Sequence, residues 1–400
     1  MAREVVIVDA IRTPIGRYNG VLKTVRPDDL GAIVVKALVD RNPEIDPNEI
    51  EEVVLGNANQ AGEDNRNVAR MSLLLAGLPV EVGGATINRL CGSGLDAVNY
   101  AARAILTGEG EVFIAGGTES MTRAPLVMAK PQMGYPRGNM ELYDTTIGWR
   151  FTNESLRTMY GAESMPQTAE NVAREYAISR EDQDLFALES QRRAKAAIDN
   201  DFFKEEMVQV KYKDHKGNEF LIEKDEHPRP ETTYEKLSQL KPIYPNGTVT
   251  AGNASGVNDG ASALLLMSSN KADQLGLKPL AKYIVSATAG VQPSLMGIGP
   301  VFSTRKALKR AGLTIDEMDV IELNEAFAAQ SIACMRHLNM NPEKVNVNGG
   351  AIAFGHPLGA SGARILTSLL FEMKRRQAKY GLATMCVGVG QGISTIVESL

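Results

Sequence analysis

A pattern that occurs twice along the chain constrains the fold more than any other feature. Two stretches run from acidic into apolar residues and end on Asn, two glycines precede segments of helical periodicity, and two apolar stretches end on Gly. The pairs follow one another in the same order at nearly the same separation: 51–57 with 318–324, Gly92 with Gly359, and 114–117 with 385–388. Three matches in one order indicate a duplicated structural unit.

Within each repeat, short apolar runs alternate with longer segments of helical periodicity. The runs at 53–55, 112–115 and 320–323 are too short for stable helices and are followed by Gly or Asn, which is typical of buried strands. Residues 95–106 and 363–373 carry apolar side chains at helical spacing. Strands that alternate with helices favour an α/β fold with a central sheet.

The middle of the chain has a different composition. It begins with a loop rich in Pro, Gly and Met, continues with polar helices from Thr168 and Ser179, and ends in a charged stretch. We interpret it as an insertion that covers the active site or forms an oligomer contact. The predicted domains are a first half at 1–122 plus 250–275, a loop domain at 123–249, and a second half at 276–400.

Charge and cysteine content exclude several classes of protein. The net charge of −5 over 400 residues argues against nucleic acid or an anionic membrane as the main partner. Three cysteines give no disulfide framework, and four scattered histidines, His215 among them, make a metal site an unfavoured interpretation. The first residues resemble a strand rather than a signal peptide, and no apolar run is long enough to span a membrane, so we expect a cytoplasmic protein.

Cys91 is the first candidate catalytic residue. It follows strand-like residues and precedes Gly92 and a predicted helix. A cysteine at a helix N-terminus lies at the positive end of the helix dipole, which stabilises a thiolate. The sequence alone leaves two interpretations open, a nucleophile and a buried core cysteine.

His356 and Cys386 lie in two glycine-rich segments near the other end of the chain. Glycines on both sides of His356 allow close approach of a substrate, and Pro357 stiffens the turn, so the histidine suits a general base. The glycines after Cys386 leave backbone N–H groups accessible, as an oxyanion site requires. The alternatives are a structural loop histidine and a core strand cysteine.

A third segment, 324–327, ends a predicted strand and opens a helix. Asn324 is either a helix N-cap or a residue that orients a water molecule or a substrate carbonyl. Cys334 follows on an apolar helical face, and we expect it in the core.

Taken together, these segments make the chain resemble the thiolases along nearly its whole length. The matching segments are Arg12-Thr13-Pro14-Ile15-Gly16, Asn88-Arg89-Leu90-Cys91-Gly92-Ser93-Gly94, 250–255, 324–327, 349–357 and 386–392. The resemblance implies a five-layered αβαβα fold with two duplicated halves and an inserted loop domain, assembled as a homodimer or homotetramer. It implies coenzyme A and acetyl-CoA as substrates, with no other cofactor and no metal.

The resemblance also implies residue roles. Cys91 would take the acyl group, His356 would activate Cys91, and Cys386 would shuttle the α-carbon proton of the acetyl unit. His356 and a water held by Asn324 would form one oxyanion hole, and the N–H groups of Cys91 and Gly388 the other. Three residues would contact coenzyme A and three would line the acyl pocket: Ser255, Arg229 and Leu156 in the first set, and Met165, Met296 and Phe327 in the second.

One departure from the family pattern bears on the substrate. Acetoacetyl-specific biosynthetic thiolases carry His immediately before the methionine that matches Met165, and this chain has Ser164. The segments 60–67 and 164–171 are more similar to thiolases of 3-oxoadipyl-CoA, which act in aromatic degradation, or to thiolases of broad 3-ketoacyl-CoA range in fatty acid metabolism.

Two other functions are alternatives. A decarboxylating ketoacyl synthase is related by fold and uses a Cys-His-His or Cys-His-Asn set. Cys386 favours a thiolase, because proton removal from acetyl-CoA needs a base that decarboxylation does not. A catalytically dead acyl-CoA-binding protein is the non-enzyme alternative, and the presence of Cys91, His356 and Cys386 argues against it.

Overall fold

The computed structural model describes residues 3–213 and 216–400. His215 lies outside these residues. The strands are β1 (Val5–Arg12), β2 (Gly16–Arg17), β3 (Ile50–Gly56), β4 (Gly83–Ile87), β5 (Val112–Ser120), β6 (Leu126–Val127), β7 (Tyr143–Asp144), β8 (Val210–Lys213), β9 (Glu219–Ile222), β10 (Asn258–Ser268), β11 (Ala281–Gly290), β12 (Val320–Leu323), β13 (Tyr380–Val387) and β14 (Gln391–Glu398).

The helices are α1 (Pro27–Arg41), α2 (Val68–Leu75), α3 (Ser93–Thr107), α4 (Glu154–Tyr160), α5 (Met165–Glu175), α6 (Arg180–Asp199), α7 (Tyr234–Ser238), α8 (Ser269–Leu275), α9 (Gly299–Ala311), α10 (Ala328–Leu338), α11 (Ala351–Phe354) and α12 (Leu358–Arg376). Short 3-10 helices lie at Pro47–Glu49, Pro293–Ile298 and Pro342–Lys344. The runs predicted as strands are strands, and the two segments predicted as core helices lie within α3 and α12.

The two halves have the same strand order, which confirms the duplication. In the first half the order is β1-β10-β5-β3-β4, and in the second it is β11-β14-β13-β12, followed by a parallel bridge from Ile321 to Val345. The first two pairings of each half are antiparallel and the next two are parallel. Strands β1 and β11 join the halves into one continuous sheet.

Five layers result from the way helices cover these strands. Helices α3 and α12 lie in the middle, where Leu95, Leu366 and Leu369 share one core with strand residues of both halves. Helices α1 and α2 cover the outer face of the first half, and α9 and α10 that of the second. Because the middle strands are covered on both faces, they are apolar without alternation, which is why short apolar runs marked them in the sequence.

The middle helices begin in direct contact with each other. A Cβ on Gly94 would lie 2.6 Å from the carbonyl oxygen of Gly359. A Cβ on Gly362 would overlap the backbone nitrogen of Leu95. Only glycine allows this approach, so the glycines that follow Cys91 and His356 bring the starts of the two helices together.

The segment between the halves lies over this arrangement. Helices α5 and α6 pack against α10 and α11 of the second half. The helix predicted from Ser179 is α6, and it begins with a capping box formed by Ser179 and Asp182. Arg12 of β1 forms buried ion pairs with Glu206, at 2.5 Å, and Asp225, at 2.8 Å, and so fixes the segment to the first half. The domain boundaries drawn from the sequence remain a prediction.

No helix of the described part of the chain combines the length and apolar character that crossing a membrane requires.

Candidate active site

Cys91 lies in a tight turn between β4 and α3. Asn88 Oδ1 accepts the N–H of Leu90 at 2.9 Å, and Ser93 Oγ accepts the N–H of Arg89 at 2.9 Å. Leu90 has a φ of 47°, a left-handed conformation that costs a branched residue energy. The turn is therefore held by its own side chains in a strained geometry that places Cys91 one residue before the N-cap of α3.

The electrostatic environment of Cys91 differs from the prediction. Burial raises the pKa of the Cys91 thiol to about 11, although hydrogen bonds from the backbone N–H groups of Gly388 and of Cys91 itself oppose this rise. Desolvation therefore opposes the thiolate stabilisation expected from the helix N-terminus. The resting cysteine is a neutral thiol, and it needs a base at the moment of attack.

His356 lies just before α12 and is buried. Burial, with a smaller contribution from Arg364, lowers the pKa of its imidazole to about 3, so the ring is neutral. Ser361 Oγ donates to the carbonyl oxygen of Pro357 at 2.8 Å and lies 2.6 Å from His356 Nδ1. Because the hydroxyl proton is already used, Nδ1 is the donor, and the lone pair of His356 is on Nε2.

Asn324 lies beside that free nitrogen. Its Nδ2 is 3.4 Å from His356 Nε2, and its side chain is buried. Its Oδ1 has no hydrogen-bond partner among the described residues. An unpaired buried carbonyl oxygen costs about 1–3 kcal/mol, and it suits the bound water that the family resemblance assigns to Asn324.

Glu325, which the sequence argument passed over, holds the segment before His356. Its buried carboxylate accepts from Ser190 Oγ at 2.7 Å, Asn346 Nδ2 at 2.8 Å and the N–H of Ile352 at 3.1 Å. Burial raises the pKa of this carboxyl group. The contacts fix α11, and therefore the chain that leads into His356.

Cys386 lies at the end of β13 within a buried apolar cluster. The cluster holds Met165, Met296 and Phe327, the three residues predicted to line an acyl pocket. Burial raises the pKa of the Cys386 thiol well above its usual value, and the charge of a Cys91 thiolate contributes to the rise. Cys334, predicted in the core, is fully buried in a different cluster on α10.

Glu119 joins the two halves near this site. Its buried carboxylate accepts the N–H groups of Ala58 and Gly359 at 2.8 Å and of Asn59 at 3.2 Å. Burial is the main reason that the pKa of Glu119 is raised to about 7. The contact with Gly359 fixes the first turn of α12 to the first half, and no local sequence signal marked it.

A cavity of about 200 Å³, here called the Cys91 cavity, opens onto the nucleophile. Its lining is mainly apolar and includes three of the predicted site residues. The lining residues are Ala58, Asn59, Leu90, Cys91, Glu119, Met121, Thr145, Thr146, Ile147, Gly148, Trp149, Arg150, Met165, Leu358, Gly388 and Val389. His356 and Cys386 are buried and are not among the lining residues.

The residues predicted to contact coenzyme A do not line a common cavity. Arg229 lines a second cavity of about 270 Å³ beside α7, together with His227 and Lys236. Ser255 lies next to the apolar cluster, where its N–H donates to the carbonyl oxygen of Ala326. Leu156 is on α4 and lines neither cavity.

Asn258, which sequence reasoning missed, connects the second cavity to His356. Its Oδ1 accepts the backbone N–H of His356 at 3.0 Å, and its Nδ2 lies 3.2 Å from His227 Nδ1. Burial lowers the pKa of His227 to about 4, so this histidine is neutral. Asn258 is at the start of β10, far from both histidines in the sequence.

The third cavity contains none of the catalytic candidates. An open depression of about 610 Å³ beside α5 is lined by polar residues such as Glu170 and Asn171. The described residues contain no group of three or more His, Cys, Asp and Glu side chains placed to hold a metal ion.

Comparison with known protein families agrees with this geometry. The thiolase N-terminal domain matches residues 5–270, and the thiolase C-terminal domain matches residues 277–399. The chain belongs to the thiolase family, as its motifs predicted.

Individual relatives cover the whole chain. The chain is 58% identical over 401 residues, 100% of both proteins, to the beta-ketoadipyl-CoA thiolase of Pseudomonas aeruginosa. It is 58% identical over 399 residues, 99% of both, to the 3-oxoadipyl-CoA/3-oxo-5,6-dehydrosuberyl-CoA thiolase of Escherichia coli. Among solved structures, Bacillus anthracis acetyl-CoA acetyltransferase superposes with a TM-score of 0.94 at 42% identity, covering 100% of this chain and 99% of that one. The five-layered thiolase fold is confirmed.

Proposed function

We propose that this thiolase cleaves 3-oxoadipyl-CoA with coenzyme A to give succinyl-CoA and acetyl-CoA. The observation that carries the proposal is its 58% identity, along its whole length, to two thiolases named for ketoadipyl-CoA substrates. Identity to the superposed acetyl-CoA acetyltransferase is 42%. The acyl chains in the names of both relatives end in a second carboxylate, so a dicarboxylic acyl chain is the proposed substrate class.

The first half of the reaction uses Cys91 and His356. The Cys91 sulfur attacks the keto carbon while its proton passes to His356 Nε2, the nitrogen that the contact with Ser361 leaves free. A neutral thiol and a neutral imidazole match this concerted transfer, because the pKa shifts keep both uncharged before attack. The histidine cation and a water on Asn324 then stabilise the oxyanion.

The bond between the keto carbon and the neighbouring carbon breaks next. The acyl part stays on Cys91 as a succinyl thioester, and the departing acetyl-CoA carbanion takes a proton from the Cys386 thiol. The thioester oxygen of the acyl-enzyme accepts from the backbone N–H groups of Cys91 and Gly388, which already point at the Cys91 sulfur. Two half-reactions through an acyl-cysteine give ping-pong kinetics.

The second half-reaction returns the enzyme to its resting state. Coenzyme A loses its thiol proton to the Cys386 thiolate and attacks the succinyl thioester, and the Cys91 sulfur that leaves takes its proton back from His356. Arg229, Ser255 and Leu156 contact coenzyme A in this proposal. Arg229 lies in a cavity with Lys236, so two cations are available to the phosphate groups.

A comparison of three substrates tests the proposal. We expect kcat/KM for thiolysis to be highest with 3-oxoadipyl-CoA, lower with 3-oxohexanoyl-CoA, which has the same chain length without the second carboxylate, and lowest with acetoacetyl-CoA. Highest activity with either monocarboxylic substrate would contradict the proposed substrate, while the absence of any thiolysis would support a dead acyl-CoA-binding protein. The reverse reaction, a Claisen condensation, would use the same residues.

A further inference from the structure

The Cys91 cavity contains one cation whose role the reaction scheme leaves open. Among the residues that line it, Arg150 is the one basic side chain and Glu119 the one acidic side chain. Glu119 is fully engaged with three backbone N–H groups behind the lining. Its pKa, raised to about 7 by burial, also leaves it only partly ionised near neutral pH. The charge that an incoming acyl chain meets is therefore that of Arg150.

Arg150 has only neutral partners among the described residues. Its Nη2 donates to the carbonyl oxygen of Asn59 at 3.2 Å and lies 3.4 Å from Asn59 Oδ1. Its guanidinium forms no ion pair with a carboxylate of the described part of the chain, whereas Arg123 in the same segment pairs with Glu63. A guanidinium has five N–H donors in a planar fork, so most of its donors are free to bind a carboxylate with two parallel hydrogen bonds.

The segment that carries Arg150 is fixed at both ends. Thr145 is buried and its Oγ donates to the carbonyl oxygen of Pro125 at 2.7 Å, while Asn59 Nδ2 donates to the carbonyl oxygen of Thr145 at 3.2 Å. At the other end, the indole N–H of Trp149 donates to the carbonyl oxygen of Glu163 at 3.2 Å. Arg150 is thus held by a braced loop, which gives its charge a defined position relative to Cys91.

The cavity lining that Cys91 and Arg150 share is mainly apolar. The side chains that face it there include Leu90, Met121, Trp149, Met165 and Val389. A chain of methylene groups gains about 0.8 kcal/mol per buried CH2 against such a surface. An ionised carboxylate pays a large desolvation cost there unless a cation pairs with it. The lining thus suits an acyl group that has methylenes near the thioester and a negative charge at its far end.

We propose that Arg150 binds the terminal carboxylate of the acyl chain and selects dicarboxylic over monocarboxylic 3-ketoacyl-CoA substrates. The inference rests on the proposed function and adds the residue that recognises the substrate. After thiolysis the acyl group on Cys91 is succinyl, with two methylenes between the thioester and the carboxylate. Arg150 would hold that carboxylate during both half-reactions, since the acyl group stays on Cys91 between them.

The opposing interpretation is that Arg150 only supports the loop through Asn59. Substitutions separate the two roles. Arg150→Gln keeps an amide donor for Asn59 but removes the charge. Arg150→Lys keeps the charge but lacks the planar guanidinium that can donate two parallel hydrogen bonds. Arg150→Met removes both and keeps only an unbranched apolar chain in place of the aliphatic part of the arginine. Arg137→Met, at an exposed position of the same segment, is the matched control.

The test measures kcat/KM of each variant with 3-oxoadipyl-CoA and with 3-oxohexanoyl-CoA. Losing a buried charge-pair partner weakens recognition at least about 30-fold. We therefore expect kcat/KM of Arg150→Met and Arg150→Gln to fall by that factor with 3-oxoadipyl-CoA. With 3-oxohexanoyl-CoA, kcat/KM should fall by less than about threefold. Arg150→Lys should retain part of the preference, and Arg137→Met all of it.

Two results would overturn different claims. If the unmodified enzyme does not prefer 3-oxoadipyl-CoA, the proposed function is wrong. If it does, but the Gln variant keeps that preference or loses activity equally on both substrates, Arg150 is a loop support and the inference is wrong. Retained activity on 3-oxohexanoyl-CoA shows that each variant is folded, so loss on one substrate reports recognition.

Discussion

The backbone N–H of Gly388, just beyond the strand end of one half, favours the thiolate of Cys91 at the helix start of the other half and so opposes the rise in the pKa of that thiol. In the proposed mechanism this N–H is an oxyanion donor, and it is close to the Cys91 sulfur before any substrate is bound. It does not produce a thiolate, because burial still raises the pKa of Cys91 to about 11. The reactivity of this cysteine therefore depends on substrate and base together.

The raised pKa predicts slow alkylation of the free enzyme. A thiol with a pKa near 11 is protonated at neutral pH. As long as the pH stays below the pKa, the thiolate fraction rises about tenfold for each unit by which the pH increases. We expect the rate of Cys91 alkylation by iodoacetamide to rise steadily from pH 7 to 9, as measured by peptide mass spectrometry. A rate that is already constant above pH 7 would mean that the thiolate forms without substrate.

Substitution of the nucleophile should abolish the reaction in both directions. Cys91→Ser leaves a hydroxyl that stays protonated near neutral pH, so neither thiolysis nor condensation should be detectable. Incubation of the unmodified enzyme with acetyl-CoA should acetylate Cys91, and mass spectrometry locates the group. Acetylation found on Cys386 or Cys334 alone would refute the assignment.

The two partner residues should fail at different steps. We expect Cys386→Ser to block condensation while some acetylation of Cys91 remains, because the proton shuttle acts after acylation. We expect His356→Ala to impair the acylation step, because the Cys91 proton then has no acceptor. Acylation rates from single-turnover experiments with acetyl-CoA check this division, and equal loss in both variants would contradict it.

Ser361 should act through the orientation of His356. Ser361→Ala removes the acceptor of the Nδ1 proton, so the imidazole can rotate or change tautomer. Loss of such a supporting contact to a functional histidine costs about 10- to 100-fold. We expect kcat to fall by that factor with little change in KM, and Ser361→Thr, which keeps the hydroxyl, to recover most of it. An equal fall in kcat for both variants would indicate a packing role instead.

Acyl chain length should depend on the residue before Met165. Each buried methylene is worth about 0.8 kcal/mol, roughly fourfold in kcat/KM, so 3-oxohexanoyl-CoA should react at least as well as acetoacetyl-CoA. Ser164→His should shift the ratio toward acetoacetyl-CoA. Ser164 Oγ caps α5 and lies 2.5 Å from Tyr244 Oη. Ser164→Ala, which loses the cap without added bulk, is therefore the control.

Activity confined to acetoacetyl-CoA in the unmodified enzyme would show that another residue closes the pocket. Ser164 is absent from the lining of the Cys91 cavity, whereas its neighbour Met165 is part of that lining. Its influence on chain length would therefore act through the position of Met165.

The sequence carried the fold because the constraints on buried strands are local. Helices cover both faces of β3, β5 and β12, so the side chains on both faces are buried and these strands are short apolar runs. The repetition of such runs revealed the two halves. The glycines after Cys91 and His356 were equally visible, and their role follows from the close contact of Gly94 with Gly359. Family motifs then supplied candidate roles for Cys91, His356, Cys386 and Asn324, whose assignment stays a prediction.

The parts that sequence did not predict depend on contacts between distant segments. Ser361 looks like any serine in a first helical turn until its hydroxyl is seen at His356 Nδ1. Asn258 and Glu119 reach across the two halves, and no periodicity marks such contacts. The desolvation that raises the pKa of Cys91 also depends on distant segments, whereas the helix dipole that opposes it is a local property.

The close contact between the starts of α3 and α12 has a consequence for how this chain can be divided. Cys91 precedes one helix, whereas His356 precedes the other and Cys386 follows on β13. Each helix is also covered by the other across the middle layer. A fragment cut between the halves would expose an apolar helical face and carry an incomplete catalytic set. The two duplicated units thus depend on each other, since one interface both covers their apolar helices and brings their candidate site residues together.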